Sequence, residues 1–360
     1  MKKVKEMKIT IWIGIFILLL PLSCVERIEL DPPTDLTEAI VIQGRAVLGE
    51  NSRIEIKTTR LFDFSSESKL ALNVKEAIVR DEEGNSMELI PLFQGVFNTP
   101  LDENSPIQLK VGGRYSMEIT TLDNRTYLSS FDLLTDNSPP RDISFGPAEQ
   151  LLPNANGNLE IVSQLETFID TDINESSEGV LWEIDRTYRL TDSPVDGPVK
   201  TCYLTSAFSL ETIPVFTDSD GVTTSLNKHS LGTQNIDYRF AEGMYITVRQ
   251  YSLSSGGKDY WNAVSSLAKK EGDLFDEPVG LIPTNFENIN DPDDEVFGYF
   301  FVTKEESIRL RVPDNLIGEV VLPCPPVNPP MGMRACNLGI CCDCLEGPNA
   351  TLERPLFWID

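Results

Sequence analysis

Seven cysteines carry most of the chemistry this sequence offers. Cys24 stands apart from the other six. Lys2, Lys3, Lys5 and Lys8 form a basic start, and residues 9–22 follow as an apolar run broken only by Thr10, Gly14 and Pro21. Fourteen residues make about 21 Å of helix, short of a hydrocarbon core of about 30 Å. The segment therefore reads as an export signal and not as a stable span. Leu22-Ser23-Cys24 sets small and apolar residues beside a nucleophilic thiol, the pattern of a lipobox, with Pro21 where leucine is usual. There the thiol would take a diacylglyceryl group and the chain would be cut before it. The plainer alternative is a secretory signal with an incidental cysteine.

The remaining six are Cys202, Cys324, Cys336, Cys341, Cys342 and Cys344. An even number in an exported chain predicts disulfides, with about 15 possible pairings. Cys341 and Cys342 are adjacent, a strained geometry for a mutual bridge, so each is expected to bond elsewhere. Cys324 and Cys336 enclose Pro325, Pro326, Pro329 and Pro330 and are taken as partners, which leaves Cys202 to reach a tail cysteine. A zinc knot fits less well, because the spacing lacks paired C-x-x-C knuckles and the setting is oxidising.

Other reactive groups are sparse. His229 is the single histidine, set in the polar stretch Asn227-Lys228-His229-Ser230, and reads as an exposed loop residue. Carboxylates are too numerous for the sequence to single out a catalytic pair. Asp170-Thr171-Asp172-Ile173-Asn174 has alternating oxygens but Glu175 where a calcium loop needs glycine. Asp218-Ser219-Asp220-Gly221 and Asp291-Pro292-Asp293-Asp294-Glu295 read as plain acidic turns. No catalytic residue, metal or cofactor is therefore expected, and no binding residue is assigned. Trp182, Tyr188, Tyr245, Tyr251, Tyr260, Trp261, Phe357 and Trp358 could stack a sugar or peptide, but their spacing favours core. The pair Phe357-Trp358 would fray unless docked, and is expected to anchor into the second domain beside the cysteine tail.

Removing residues 1–23, with their four Lys and one Glu, takes the net charge from −26 to near −29. So acidic a body would repel nucleic acid and lacks a polybasic membrane dock. The lipid would be its only link to the membrane.

The elements that must position these groups are mostly strands. Residues 24–38 are acidic, contain Pro32-Pro33 and read as a tether. Ala39-Ile40-Val41-Ile42 opens the structured part. Ile54 with Ile56, Leu72 with Val74, then Ile78 and Val79 continue the strand pattern, and Glu83-Gly84-Asn85 predicts a hairpin. Tyr115, Met117, Ile119 and Thr121 share a strand face, and Asp123-Asn124 turns the chain into a strand at 126–133. Residues 39–137 are thus expected to form an immunoglobulin-like β-sandwich. Pro139-Pro140 would end it. A second β-rich domain is expected at 141–312, with strands around Trp182 and Val248 and at 298–302 and 308–312. Its one amphipathic helix would span 258–271, with Tyr260, Val264 and Leu267 as its apolar stripe. Residues 313–360 form a Pro/Cys-rich tail.

Several stretches, in this order, are similar to the Bacteroidota outer-membrane lipoproteins grouped as domain of unknown function 4249. They are Cys24 with its acidic tether into Ile40-Val41-Ile42-Gln43-Gly44, then Gly113-Arg114-Tyr115-Ser116-Met117-Glu118-Ile119-Thr120 and Tyr127-Leu128-Ser129-Ser130. Tyr260-Trp261, Leu274-Phe275-Asp276-Glu277-Pro278 and Gly298-Tyr299-Phe300 follow, then Cys342-Asp343-Cys344 and Arg354-Pro355-Leu356-Phe357-Trp358. The chain departs from that pattern after Cys344, where glycines are usual and Glu346-Gly347-Pro348-Asn349-Ala350 stands instead, and in lacking a glycine-rich segment before Gly280. The resemblance implies a lipid-anchored protein of the outer membrane, often encoded beside a TonB-dependent receptor. Which face it occupies is left open, the surface slightly favoured by acidic Glu26 and Glu29 near the lipid. It supplies no activity. On this reading the protein is non-enzymatic and assists such a receptor in binding a small nutrient. A surface carbohydrate-binding or adhesive lipoprotein and a structural envelope protein are the alternatives.

Overall fold

A computed structural model of the chain describes residues 39–60, 71–154, 156–194, 197–208, 213–217, 225–269, 282–320, 322–324 and 339–359. Cys24, Cys336, the loop at 218–221 and the stretch 274–278 lie outside the described residues. The fold is mainly β, with several sheets and one long helix.

A nine-stranded central sheet organises the molecule. Its strands are β1 (Ile40–Leu48), β2 (Arg53–Arg60), β5 (Pro91–Phe93), β6 (Val96–Pro100), β12 (Gly179–Thr191), β13 (Thr201–Ala207), β14 (Val215–Thr217), β16 (Met244–Leu253) and β18 (Val296–Arg311). The order is β13-β12-β16-β18-β1-β2-β6-β5, with β14 also on β12. A six-stranded sheet comprises β3 (Val74–Asp81), β4 (Ser86–Glu88), β7 (Arg114–Thr121), β8 (Thr126–Ser129), β9 (Asp132–Leu133) and β17 (Phe286–Asn288). A three-stranded sheet holds β10 (Asp142–Pro153), β11 (Leu159–Asp172) and β15 (Ser225–Asn235).

Side-chain alternation explains the layering, because neighbours along a strand face opposite ways. Ile40, Ile42 and Ala46 of β1, with Phe300 and Val302 of β18, pack on Val79, Met117, Ile119 and Tyr127 of the six-stranded sheet. Trp182, Ile184, Ile246 and Val248 share a second core with Ile143, Leu165 and Ile169 of the three-stranded sheet. Both outer sheets therefore cover one face of the central sheet. The opposite face carries Val47, Leu181, Tyr251, Tyr299 and Phe301, which pack beneath helix α1 (Ser255–Lys269).

The central sheet crosses the boundary expected at Pro139-Pro140, and residues from Glu38 onward form one compact unit. The cause is β18. Its first half runs parallel to β1, and its second half runs antiparallel to β16. The sequence suggests two strands here, at 298–302 and 308–312, with polar Thr303-Lys304-Glu305-Glu306-Ser307 between them. Ion pairs let that polar stretch stay extended: Lys304 meets Asp136 and Glu306, and Glu305 meets Arg53. The linker itself is fastened, with Asn137 Nδ2 donating to the carbonyls of Gln250 and Lys304. Gly298 has φ +97°, and a Cβ there would stand 2.0 Å from the Ile42 carbonyl oxygen, so β18 approaches β1 through a position that demands glycine.

Two further expectations shift. Residues 126–133 break into β8 and β9, and Ser129 Oγ accepts the Met117 N–H in place of a ladder partner. Helix α1 begins at Ser255 instead of Lys258. The Ser254 side chain caps it by accepting the Gly257 N–H, and Gly256 leaves room for the Tyr299 hydroxyl.

The tail wraps the edge strand β13. Cys344 bonds to Cys202 on the face toward the second core. Thr351 then exchanges both backbone hydrogen bonds with Tyr203, and Trp358 lands on Tyr203 and Tyr245 across the sheet. The expected anchor at the end of the chain is thus present: Trp358 is 4% exposed and Arg309 lies over Phe357. An edge strand of unpaired backbone groups is covered in this way.

Candidate functional site: a helix-covered cleft

Arg45, Glu55, Glu183 and Arg249 meet on the sheet face under α1. Arg45, Glu183 and Arg249 each have an apolar neighbour on one or both sides in the strand, and Glu55 lies between Ile54 and Ile56. Arg45 and Glu55 are cross-strand partners on β1 and β2, and Glu183 and Arg249 on β12 and β16. Arg45 Nη1 approaches Glu183 Oε1 at 2.6 Å, and its Nε pairs with Glu55. Arg249 reaches Asp185 Oδ2 at 2.6 Å. The Tyr251 hydroxyl donates to Glu183 Oε2 at 3.0 Å and accepts from Arg249 Nε at 3.1 Å, while Arg45 lies 4.9 Å over the Tyr251 ring.

The electrostatics follow. Burial works to raise the Glu183 carboxyl, but Arg45, Arg249 and the Tyr251 hydroxyl outweigh it and hold the group below the usual glutamate range. Glu55 is likewise lowered against its burial by Arg45 and Arg53. Burial raises the Tyr251 hydroxyl, which keeps it a hydrogen-bond donor.

Above this row opens a cleft of about 300 Å³, walled by Tyr260, Trp261, Tyr299 and Phe301 and floored by Gln43, Gly44, Arg45, Glu55, Lys57 and Glu183. Tyr260 stacks on Tyr299 with ring centres 5.0 Å apart, and Trp261 meets Phe301 edge-on. A second hollow of about 400 Å³ adjoins it, sharing Glu183 and Trp261 and adding Asp185, Phe208, Ile213 and Arg249. The volumes suit a small ligand. Trp261 lines both hollows, and its indole Nε1 is buried without a hydrogen-bond partner among the described residues. Such an orphan donor costs about 1–3 kcal/mol unless a ligand or water accepts from it.

The residues singled out from sequence are dispersed. Cys202 bonds to Cys344 and Cys324 to Cys341, so Cys324 does not pair with Cys336: the helical turn α2 (Gly339–Cys342) brings Cys341 to it. Cys342 is also disulfide-bonded. All five described tail and body cysteines are thus oxidised. His229 lies on β15 and not in a loop, its ring 5.2 Å from that of Trp182, and burial lowers its basicity. Asp170 accepts the Lys228 N–H, Asp172 pairs with Arg141, and Asp294 accepts from Tyr127, Asn288 and Arg125, so these acidic loops are tied by protein donors. Of the aromatics, Trp182 and Tyr188 are core, Tyr245 holds the tail, and Tyr260 with Trp261 wall the cleft. Sequence reasoning missed Arg45, Glu55, Lys57, Glu183, Tyr299 and Phe301. The available signal was a charge set among apolar neighbours, as in Leu181-Trp182-Glu183-Ile184.

Residues 25–309 match the family described as Domain of unknown function (DUF4249). The chain belongs to this family. Every cleft residue falls within the DUF4249 match, whereas the cysteines from Cys324 onward and the aromatic end lie beyond it. Among curated proteins none matches the chain. No helix among the described residues is long and apolar enough to cross a membrane, which leaves strand-built spans unaddressed.

Proposed function

We propose that this DUF4249 protein is a non-catalytic lipoprotein of the outer membrane, held by a lipid on Cys24, that binds a small nutrient in the cleft under α1 and works beside a TonB-dependent receptor. The observation that carries the ligand-binding half is Trp261, which lines two hollows above a fixed charge row and whose buried N–H has no partner among the described residues. Binding is favoured over hydrolysis because Glu55 and Glu183 are both lowered by arginines. An acid–base pair needs one carboxyl raised to donate a proton.

The receptor half draws support from the arm formed by β10 and β11. Its outer part extends beyond β15, and Leu151, Leu159 and Ile161 are each more than 60% exposed on it. A contiguous apolar face on a two-stranded ribbon is a contact surface in search of a partner.

Affinity capture of the tagged, acylated protein from detergent-solubilised outer membranes tests the reading. A β-barrel receptor recovered in comparable amount is expected, with Cys24→Ala releasing the protein from the membrane fraction. Retention of Cys24→Ala in salt-washed membranes, or capture without a barrel, would count against it.

A further inference from the structure

We infer that the cleft ligand is a neutral saccharide, one or two rings of which lie against Trp261 with hydroxyls reaching the charge row. This rests on the cleft being the ligand site, and goes further by naming the ligand class.

Three observations converge. First, the lining is balanced: Arg45 and Lys57 oppose Glu55 and Glu183. A carboxylate or phosphate ligand would gain from the cations and lose to the two ionised glutamates, inside a protein of net charge −26. A cationic ligand meets the reverse conflict. A hydroxyl group both donates and accepts, so a polyol uses both signs without carrying charge.

Second, the aromatic wall offers ring edges and faces together with an N–H. The Trp261 indole lines both hollows, and its N–H has no acceptor among the described residues. A sugar ring places apolar C–H faces on aromatic rings while its oxygens accept from neighbouring donors.

Third, the strands that floor the cleft are all interior. β1 lies between β18 and β2, β2 between β1 and β6, and β12 between β13 and β16. Their backbone groups are used in the sheet. An extended peptide would have no free edge to pair with, so recognition must run through side chains.

The test uses the full chain in detergent against a printed array of neutral oligosaccharides, hexuronate oligomers and short peptides, followed by titration of tryptophan emission with the best binder. Binding to a neutral oligosaccharide is expected, weakened at least tenfold in Trp261→Phe, which keeps a ring but loses the N–H, and in Glu183→Gln. Thermal unfolding of both variants and retention of the disulfides establish that the fold is intact. Preference for hexuronates or peptides, with the same dependence on Trp261, overturns the saccharide class but leaves the cleft as the ligand site. Neutral-sugar binding that Trp261→Phe and Glu183→Gln leave unchanged overturns both. If the array shows no Trp261-dependent binder, the saccharide inference fails, while a Trp261-dependent thermal shift with small metabolites of the growth medium would keep the broader reading.

Discussion

Arg45 and Glu183 lie 138 residues apart in sequence, on strands separated in the sheet by β16 and β18, yet their side chains meet at 2.6 Å. Arg45 also holds Glu55, so one guanidinium ties β2 to β12 across β1, β18 and β16.

Removing that guanidinium leaves two partly buried carboxylates short of a partner. Arg45→Ala is expected to destabilise the protein by about 2–4 kcal/mol in urea unfolding, given what broken buried pairs cost. Arg45→Lys should recover only part, because one ammonium cannot reproduce the planar, two-sided contact. Recovery of full stability with lysine would show that charge alone matters at this position.

Asp132 gives a pH dependence of the opposite sign to the paired glutamates. Burial pushes its carboxyl up to about 6, against hydrogen bonds from Ser254 and the Val302 and Leu133 N–H groups. Below the ordinary aspartate range the proton is held in folded and unfolded chains alike. Between about pH 4 and 6 the folded chain alone holds it, so the contribution to stability is full at low pH and lost as pH rises through about 6. Wild type minus Asp132→Asn, measured by urea unfolding at pH 4.5 and 7.5, should fall by about 2 kcal/mol over that interval. Glu55 and Glu183, with lowered carboxyls, lose their contribution as pH falls, which is why the comparison is made against the variant.

The Cys202–Cys344 bridge spans 142 residues, and the chain-entropy account assigns such a closure about 5 kcal/mol. Cys344→Ser should lower the melting temperature and expose the segment after Thr351 to limited proteolysis. Trp358 emission should shift to the red as the ring leaves Tyr203 and Tyr245. An unchanged proteolytic pattern would mean that the aromatic end holds without the bridge.

Gly298→Ala places a methyl group against the Ile42 backbone in a left-handed conformation. Relief requires separating β18 from β1, so a loss of at least about 2 kcal/mol, or failure to fold, is expected in denaturant titration. Gly84→Ala, also at positive φ but with nothing within 4 Å, is the control and should cost less.

The sequence was most legible where one face of a strand meets core and the other does not. Tyr115, Met117, Ile119 and Thr121 announced β7, and the hairpin at Gly84 followed from turn chemistry. The Phe357-Trp358 anchor was readable because a terminal aromatic pair needs a dock. Legibility failed where partners are distant. The polar middle of β18 splits the apolar pattern in two until Arg53 and Asp136 are placed beside it, and the cleft is assembled from β1, β2, β12, β18 and α1, which no local pattern relates. Cys202 does reach a tail cysteine, as expected, but the Cys324–Cys336 pairing failed for the same reason, since the turn that carries Cys341 to Cys324 is not encoded by spacing.

The parallel pairing of β1 with β18 has a consequence for assembly. Ile40 waits for Val296, about 250 residues later, before its ladder can close, and closing so long a loop is slow. Until then the first strands stand with Ile40, Ile42, Ile54 and Ile56 uncovered and one sheet edge open. A nascent chain in that state exposes apolar surface, and its maturation is timed by the arrival of β18 and not by the folding of an autonomous first domain.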